Sequence, residues 1–142
     1  MAIIADNILD DVKTYLADMK SPVTVDFYPH AESPATQPMR DLLQELHALS
    51  PQIEVVEHQE AAQPVPPENA GDIEGPVTTL SVGGQFTGIR YLGFPGGHEF
   101  STFLADLVDL STDQPLELTP ATQEWLANLQ EPLHLEVFVT PT

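Results

Sequence analysis

The stretch Pro76-Val77-Thr78-Thr79-Leu80-Ser81-Val82-Gly83-Gly84, continued by Gln85 to Tyr91, constrains the fold more than any other part of the chain. Two runs rich in β-branched and aromatic residues flank a glycine pair. That pair signals a two-residue hairpin, because the tight turns that match strand twist need positive φ. A connection this short pairs the two strands antiparallel. Upstream, Val23, Val25 and Phe27 alternate with Thr24, Asp26 and Tyr28, and Pro29 ends the run; Ile53-Glu54-Val55-Val56 reads as a further strand. Between them Met39, Leu42, Leu43, Leu46 and Leu49 recur at helical spacing until Ser50-Pro51.

The remaining segments extend this order. Ile8, Val12, Tyr15, Leu16 and Met19 predict a first helix over about 6–20, with Asp6 as its N-cap and Ser21-Pro22 as its stop. From His58 to Gly75 apolar periodicity is lost and Gln63-Pro64-Val65-Pro66-Pro67-Glu68 is proline-dense, which predicts an extended loop with at most a short helix. After Gly93-Phe94-Pro95-Gly96-Gly97, the spacing of Phe100, Phe103, Leu104, Leu107, Val108 and Leu110 is helical again. Thr119 and Pro120 then read as N-cap and first residue of a helix carrying Trp125, Leu126 and Leu129. Leu133 to Val139 alternates as a strand. Helix followed by strand is also what residues 6–28 give, so the tail reads as the opening of a second copy of one unit.

The charge narrows the function. Four Lys and Arg against 22 Asp and Glu give a net charge of −18, a field that repels nucleic-acid phosphates and anionic lipid surfaces. Two readings of the acidity stand: a docking face for a basic partner, or a general surface adaptation, for example to high salt. The acids are spread along the chain without a block of five, which favours the second. The N-terminus has no basic region before Asp10 and Asp11, so no secretory leader is expected, and no apolar run has the length of a membrane span. The expectation is a cytoplasmic protein without membrane contact. The chain has no cysteine, which excludes a disulfide framework, an iron–sulfur cluster and a thiolate nucleophile.

Taken together, the order β-α-β-(α)-β-β-α with a proline opening the third strand is that of the thioredoxin fold. Gly88-Ile89-Arg90-Tyr91-Leu92-Gly93-Phe94-Pro95-Gly96-Gly97-His98-Glu99-Phe100 resembles a stretch in the first of the two tandem thioredoxin-like units of protein disulfide oxidoreductases, the glutaredoxin-like domain proteins. Such tandem units also form the N-terminal domain of the alkyl hydroperoxide reductase flavoprotein subunit. The closing Val137-Phe138-Val139-Thr140-Pro141-Thr142 looks like the strand that, in the disulfide oxidoreductases, runs into a second unit's Cys-Pro-x-Cys. The resemblance implies an α/β fold with a mixed sheet of about four strands flanked by helices. Residues 1–112 would be one thioredoxin-like unit, and 113–142 the linker, helix and first strand of another.

The resemblance also carries site residues. Arg90, Gly93, Pro95, Gly97, His98, Glu99 and Phe100 are the family-motif positions. Counting back from Leu42-Leu43-Gln44-Glu45-Leu46, the Cys-x-x-Cys of a redox-active first unit falls on Ser33-Pro34-Ala35-Thr36, so both thiols are replaced. Pro76, between Gly75 and Val77, matches the cis-proline that faces the dithiol and helps hold an extended substrate segment. The implied parent is a thiol–disulfide oxidoreductase acting in redox homeostasis, with this chain as its redox-inactive unit. The alternative is a stand-alone, non-catalytic binding protein.

The residues themselves support no other chemistry. Thiol–disulfide exchange needs a thiolate, and a Ser or Thr oxygen cannot form the mixed disulfide. A nucleophilic Ser33 would need a positioned base, and His30 lies in a loop without the Gly-x-Ser-x-Gly turn. The expectation is that Ser33 caps the following helix and Pro34 is its first residue. His98-Glu99 fails the His-Glu-x-x-His zinc pattern because Thr102 stands at the fourth position, and His30, His47, His58 and His134 lack ligand spacing. His98 and Glu99 are read instead as the first turn of a helix behind Gly97, with Glu99 favoured by the macrodipole. Neither metal nor cofactor is expected. The expected partner is a second thioredoxin-like unit or another protein, with homodimerisation through the C-terminal strand if that strand lacks a unit of its own.

Overall fold

A computed structural model describes residues 2–59, 75–113 and 117–139. The expected loop over 58–75 falls almost wholly outside the described residues. Among the described residues eight elements follow in chain order: α1 (Leu9–Leu16), β1 (Val23–Tyr28), α2 (Thr36–Leu49), β2 (Ile53–Glu57), β3 (Val77–Val82), β4 (Gln85–Leu92), α3 (His98–Leu110) and α4 (Pro120–Ala127). The strands form one mixed sheet in the order β2-β1-β3-β4. β1 is parallel to β2 and antiparallel to β3, and β3 is antiparallel to β4, as the glycine pair requires. Gly83 and Gly84 hold φ of 57° and 77°, a region closed to most side chains and demanded by this two-residue turn.

Alternation decides which face of the sheet is buried. Val23, Val25 and Phe27 are at most 1% exposed, and Ile53 and Leu80 pair beside Val23 and Val25 on the same face. They join Val12 and Leu16 of α1, Met39, Leu42, Leu43 and Leu46 of α2, and Phe103 and Leu107 of α3 in a single core. Full burial of one such side chain stabilises the fold by about 1.5–3 kcal/mol relative to leaving it exposed. Tyr91 closes the core edge-on against Phe103, with ring centroids 5.0 Å apart.

β4 carries a two-residue irregularity: Phe86 pairs with Ser81 and Arg90 with Thr79. Thr87 lies in this bulge and its hydroxyl donates to the Leu80 carbonyl at 2.7 Å, satisfying an acceptor that the ladder leaves behind.

Two helix starts differ from expectation. α1 begins at Leu9 rather than near 6, and its N-cap is Ile8, with no side-chain cap bond. The amides of Ile3 and Ile4 donate to the Glu45 carboxylate on α2, and Ile8 N donates to the Ala5 carbonyl. Pinned in this way, residues 5–8 form a turn before the helix opens, and Asp6 does not cap it. α2 begins at Thr36, behind Ala35, rather than at Pro34. Pro38 explains the shift. With Pro34 at the first position, the Pro38 ring would meet the Pro34 carbonyl and the ladder would lack its donor; with Thr36 first, Pro38 stands in the first turn, where no donor is needed.

α4 is capped as expected, since Thr119 accepts from Thr122 N and Pro120 follows, yet it buries none of its residues. Residues 133–139 join no strand among the described residues, and Leu133, Leu135, Val137 and Phe138 are each more than half exposed. An alternating pattern specifies which face a strand would bury, but without a neighbouring edge it forms no ladder.

Candidate functional site

The site lies where the β1–α2 connection approaches the start of β3. In that connection the Thr36 amide donates to the Ser33 carbonyl at 3.2 Å, which closes Ser33-Pro34-Ala35-Thr36 into a turn just ahead of α2. The Ser33 hydroxyl accepts from the Ala35 amide at 3.3 Å, so it secures this turn and does not cap the helix as expected. Thr36 is 8% exposed. Its hydroxyl donates to the His30 carbonyl at 2.6 Å and accepts from the His30 amide at 3.2 Å. Both hydroxyls are therefore engaged with backbone.

Opposite stands Gly75. A Cβ built on it would lie 3.6 Å from Ser33 Oγ and 3.7 Å from Gly93 Cα. Ser33, Gly75 and Gly93 thus meet at one point. Pro76 and Val77 are buried beside it, and the Pro76 carbonyl accepts from Gly93 N at 2.8 Å. Gly93 holds φ of 83°, which sends the chain from β4 back across the start of β3. The sequence leaves the state of the Gly75–Pro76 bond open; no cis peptide bond occurs among the described residues, so it is trans. Trans is preferred by about 0.5–1 kcal/mol before a proline wherever the surroundings do not enforce cis.

The motif residues divide between the site and the core. Gly93 touches the site. Pro95 is buried, and Phe100 packs against the core. Gly97, at φ 56°, is the N-cap of α3; His98 begins that helix on the exposed side, and Glu99 follows in its first turn. Burial raises the Glu99 carboxyl above its ordinary value, the direction opposite to the one the macrodipole favours. Arg90 is exposed on β4 with its guanidinium 5.0 Å from the Phe86 ring centroid, so it stands apart from the Ser33–Gly75 contact.

A second polar cluster was not anticipated from the sequence. The Asp26 carboxylate takes His58 Nε2 at 2.8 Å through one oxygen and the Ser81 hydroxyl at 3.1 Å through the other. The His58 ring stacks on Tyr28 at 4.4 Å. Burial first, and the Asp26 charge second, raise the Tyr28 phenol above its ordinary value. Serine, aspartate and histidine are all present, but the carboxylate is the middle member. Nucleophile activation needs the imidazole there, touching the hydroxyl. The only sequence signals were Asp26 at a polar position of an alternating strand and His58 just past β2; their meeting follows from the β1–β2 register, which places Phe27 beside Glu57. Among the described residues no three His, Asp or Glu converge as metal ligands, and no helix is long and apolar enough to cross a membrane.

Comparison with known proteins gives the same architecture. No protein-family model matches the sequence, and no curated protein matches it. Among solved structures, a protein disulfide oxidoreductase from Aeropyrum pernix superposes with a TM-score of 0.78 at 20% identity, covering 99% of this chain and 62% of that one. The AhpF component of the Enterococcus faecalis alkylhydroperoxide reductase gives 0.72 at 19% identity, covering 90% and 62%. A structure of the N-terminal domain of the same component gives 0.68 at 19%, covering 85% and 58%. The fold is therefore thioredoxin-like, and the chain spans about three fifths of the length of the structures it matches.

Proposed function

We propose that this chain is a redox-inactive thioredoxin-fold module with a structural and docking role, supporting thiol–disulfide exchange carried out by a separate unit that bears Cys-x-x-Cys. One observation carries the reading: the turn facing Gly75, where the resemblance puts a dithiol, holds Ser33 and Thr36, and both hydroxyls are engaged with backbone. An alcohol oxygen cannot form the mixed disulfide that exchange passes through, and the chain contains no cysteine to replace it. The Aeropyrum pernix protein is named a disulfide oxidoreductase, and the rest of its length has no counterpart in these 142 residues. The module's partner is then a second thioredoxin-like unit, and its setting is cytoplasmic redox homeostasis. An extended segment of a partner would lie along Gly75, Pro76 and Val77, the stretch to which the resemblance assigns the substrate groove.

The test supplies the missing chemistry from outside. Insulin reduction is measured for the chain alone, for a Cys-x-x-Cys thioredoxin-fold unit alone, and for the two together. The docking role predicts no activity from the chain, and a complex with faster turnover for the pair; no complex and no change in rate would overturn it. A second reading, a binding protein that acts without any dithiol unit, draws on the exposed apolar segment after α3, and under it the chain leaves the dithiol unit's rate unchanged while binding another protein.

A further inference from the structure

Neither the fold nor the docking role makes use of the chain's charge. Residues 1–112 hold 17 Asp and Glu against 4 Lys and Arg, a net charge of −13 at pH 7. Among the described residues Arg40–Glu57, at 2.8 Å, is the one pairing of a Lys or Arg with a carboxylate. Arg90 lies over the Phe86 ring instead. Two exposed carboxylates also stand against a helix dipole: Asp109 is in the last turn of α3, which has no base, and Asp18 lies just past the end of α1. Folding brings these two helix ends together, since Ser21 Oγ donates to the Ser111 carbonyl at 2.8 Å and Lys20 N to Ser111 Oγ at 3.3 Å. Their negative ends therefore meet.

We propose that the fold is conditional on ionic strength: at low salt, repulsion among its carboxylates opposes folding, and screening by monovalent ions restores it without a bound cation. Folding shrinks residues 1–112 from a radius of gyration of roughly 34 Å to about 13 Å, so like charges that are far apart in the open chain are forced close. At about 10 mM salt the screening length is about 30 Å, longer than the folded radius, and every carboxylate repels every other. At about 0.5 M it is about 4 Å, and only near neighbours do. Native proteins are marginally stable, so a repulsion that varies this much with salt decides how much of the chain is folded. The acidity then acts on the folding equilibrium itself. This inference is independent of the docking role and uses none of the residues around Ser33.

Urea unfolding of the full chain, followed by circular dichroism in a series from about 10 mM to about 0.5 M KCl, tests this, because urea is uncharged and leaves the ionic strength as set. The unfolding equilibrium constant, compared at one urea concentration, is expected to fall by about a hundredfold or more across the series. Tetramethylammonium chloride, whose cation is too bulky for a carboxylate cage, should do the same at equal ionic strength. Asp18→Asn/Asp109→Asn removes two exposed charges that both repulsion and a helix dipole disfavour. At about 10 mM its unfolding constant should lie about tenfold below the parent's, and the gap should close by about 0.5 M. A constant that stays within about threefold across the KCl series would overturn the proposal, as would a variant gap equal at both ends of it. Stabilisation by KCl and none by tetramethylammonium chloride would overturn it too, making a bound cation the agent. The insulin assay of the docking role is read at one fixed salt concentration, so either proposal can fail alone.

Discussion

Thr36 Oγ1 donates to the His30 carbonyl and accepts from the His30 amide, so a single buried hydroxyl ties the end of the β1 connection to the start of α2. Thr36→Val keeps the shape and removes both bonds. Burying polar groups that have lost such bonds costs about 1–3 kcal/mol. Urea unfolding is expected to show a loss in that range, and Thr36→Ser, which keeps the hydroxyl, should recover most of it.

Gly75 has room for a methyl group. A Cβ there meets Ser33 Oγ and Gly93 at 3.6–3.8 Å, which is ordinary contact. Gly75→Ala is therefore expected within about 1 kcal/mol of the parent, on the stabilising side because the unfolded chain loses freedom. Gly75→Leu pushes atoms into Ser33 and Gly93 and should cost about 1–3 kcal/mol. Denaturant midpoints of the two variants measure the contrast.

Tyr91 makes the fold sensitive to alkali. Burial, then the hydrogen bond its phenol donates to Asp106, raise its pKa well above the ordinary value. In the unfolded chain the phenol titrates near about 10, so above that pH the folded state binds the extra proton. Stability should fall as pH rises through about 10. Tyr91→Phe has no such proton and is expected to flatten that part of the stability–pH curve.

Glu57 works in the opposite direction. Hydrogen bonds from Arg40, at 2.8–3.2 Å, hold its carboxyl below the ordinary value, and Arg40 also lies 5.8 Å from the Phe27 ring centroid. The pair's contribution is present above the ordinary carboxylate pKa and is lost as pH falls through the lowered one. Carboxyl NMR of Glu57 should report the lowered titration, and Arg40→Gln should move it back up.

The parts legible in the sequence were those where one physical rule acted alone. Alternation in 23–28 and the Gly83-Gly84 pair set β1 and the β3–β4 hairpin, because a one-residue slip would turn Val25 and Phe27 out of the core. The helix starts depart from expectation where two rules compete. Asp6 has the chemistry of a cap, but the hold of Glu45 on the Ile3 and Ile4 amides fixes the chain ahead of it. Ser33-Pro34 has the form of a helix start, but Pro38 four residues later forbids one. The resemblance implied Pro76 opposite the Ser33–Thr36 turn; the residue that meets Ser33 is Gly75, its neighbour. The Asp26–His58–Ser81 cluster depends on strand register, which the polar position of Asp26 and the place of His58 just past β2 do not by themselves reveal.

Putting the thiols back tests whether Ser33 and Thr36 stand where a dithiol would be. The Ser33–Thr36 turn is closed by a 3.2 Å bond, and the end Cα atoms of such a turn lie within about 7 Å, near the upper limit of the roughly 4.4–6.8 Å that a disulfide spans. Mild oxidation of Ser33→Cys/Thr36→Cys, with folding checked by circular dichroism, is followed by thiol titration and intact mass. A folded monomer that loses both thiols and two hydrogens, and regains them with dithiothreitol, is expected. Two thiols that stay free in the folded protein, or that cross-link only between molecules, would contradict it.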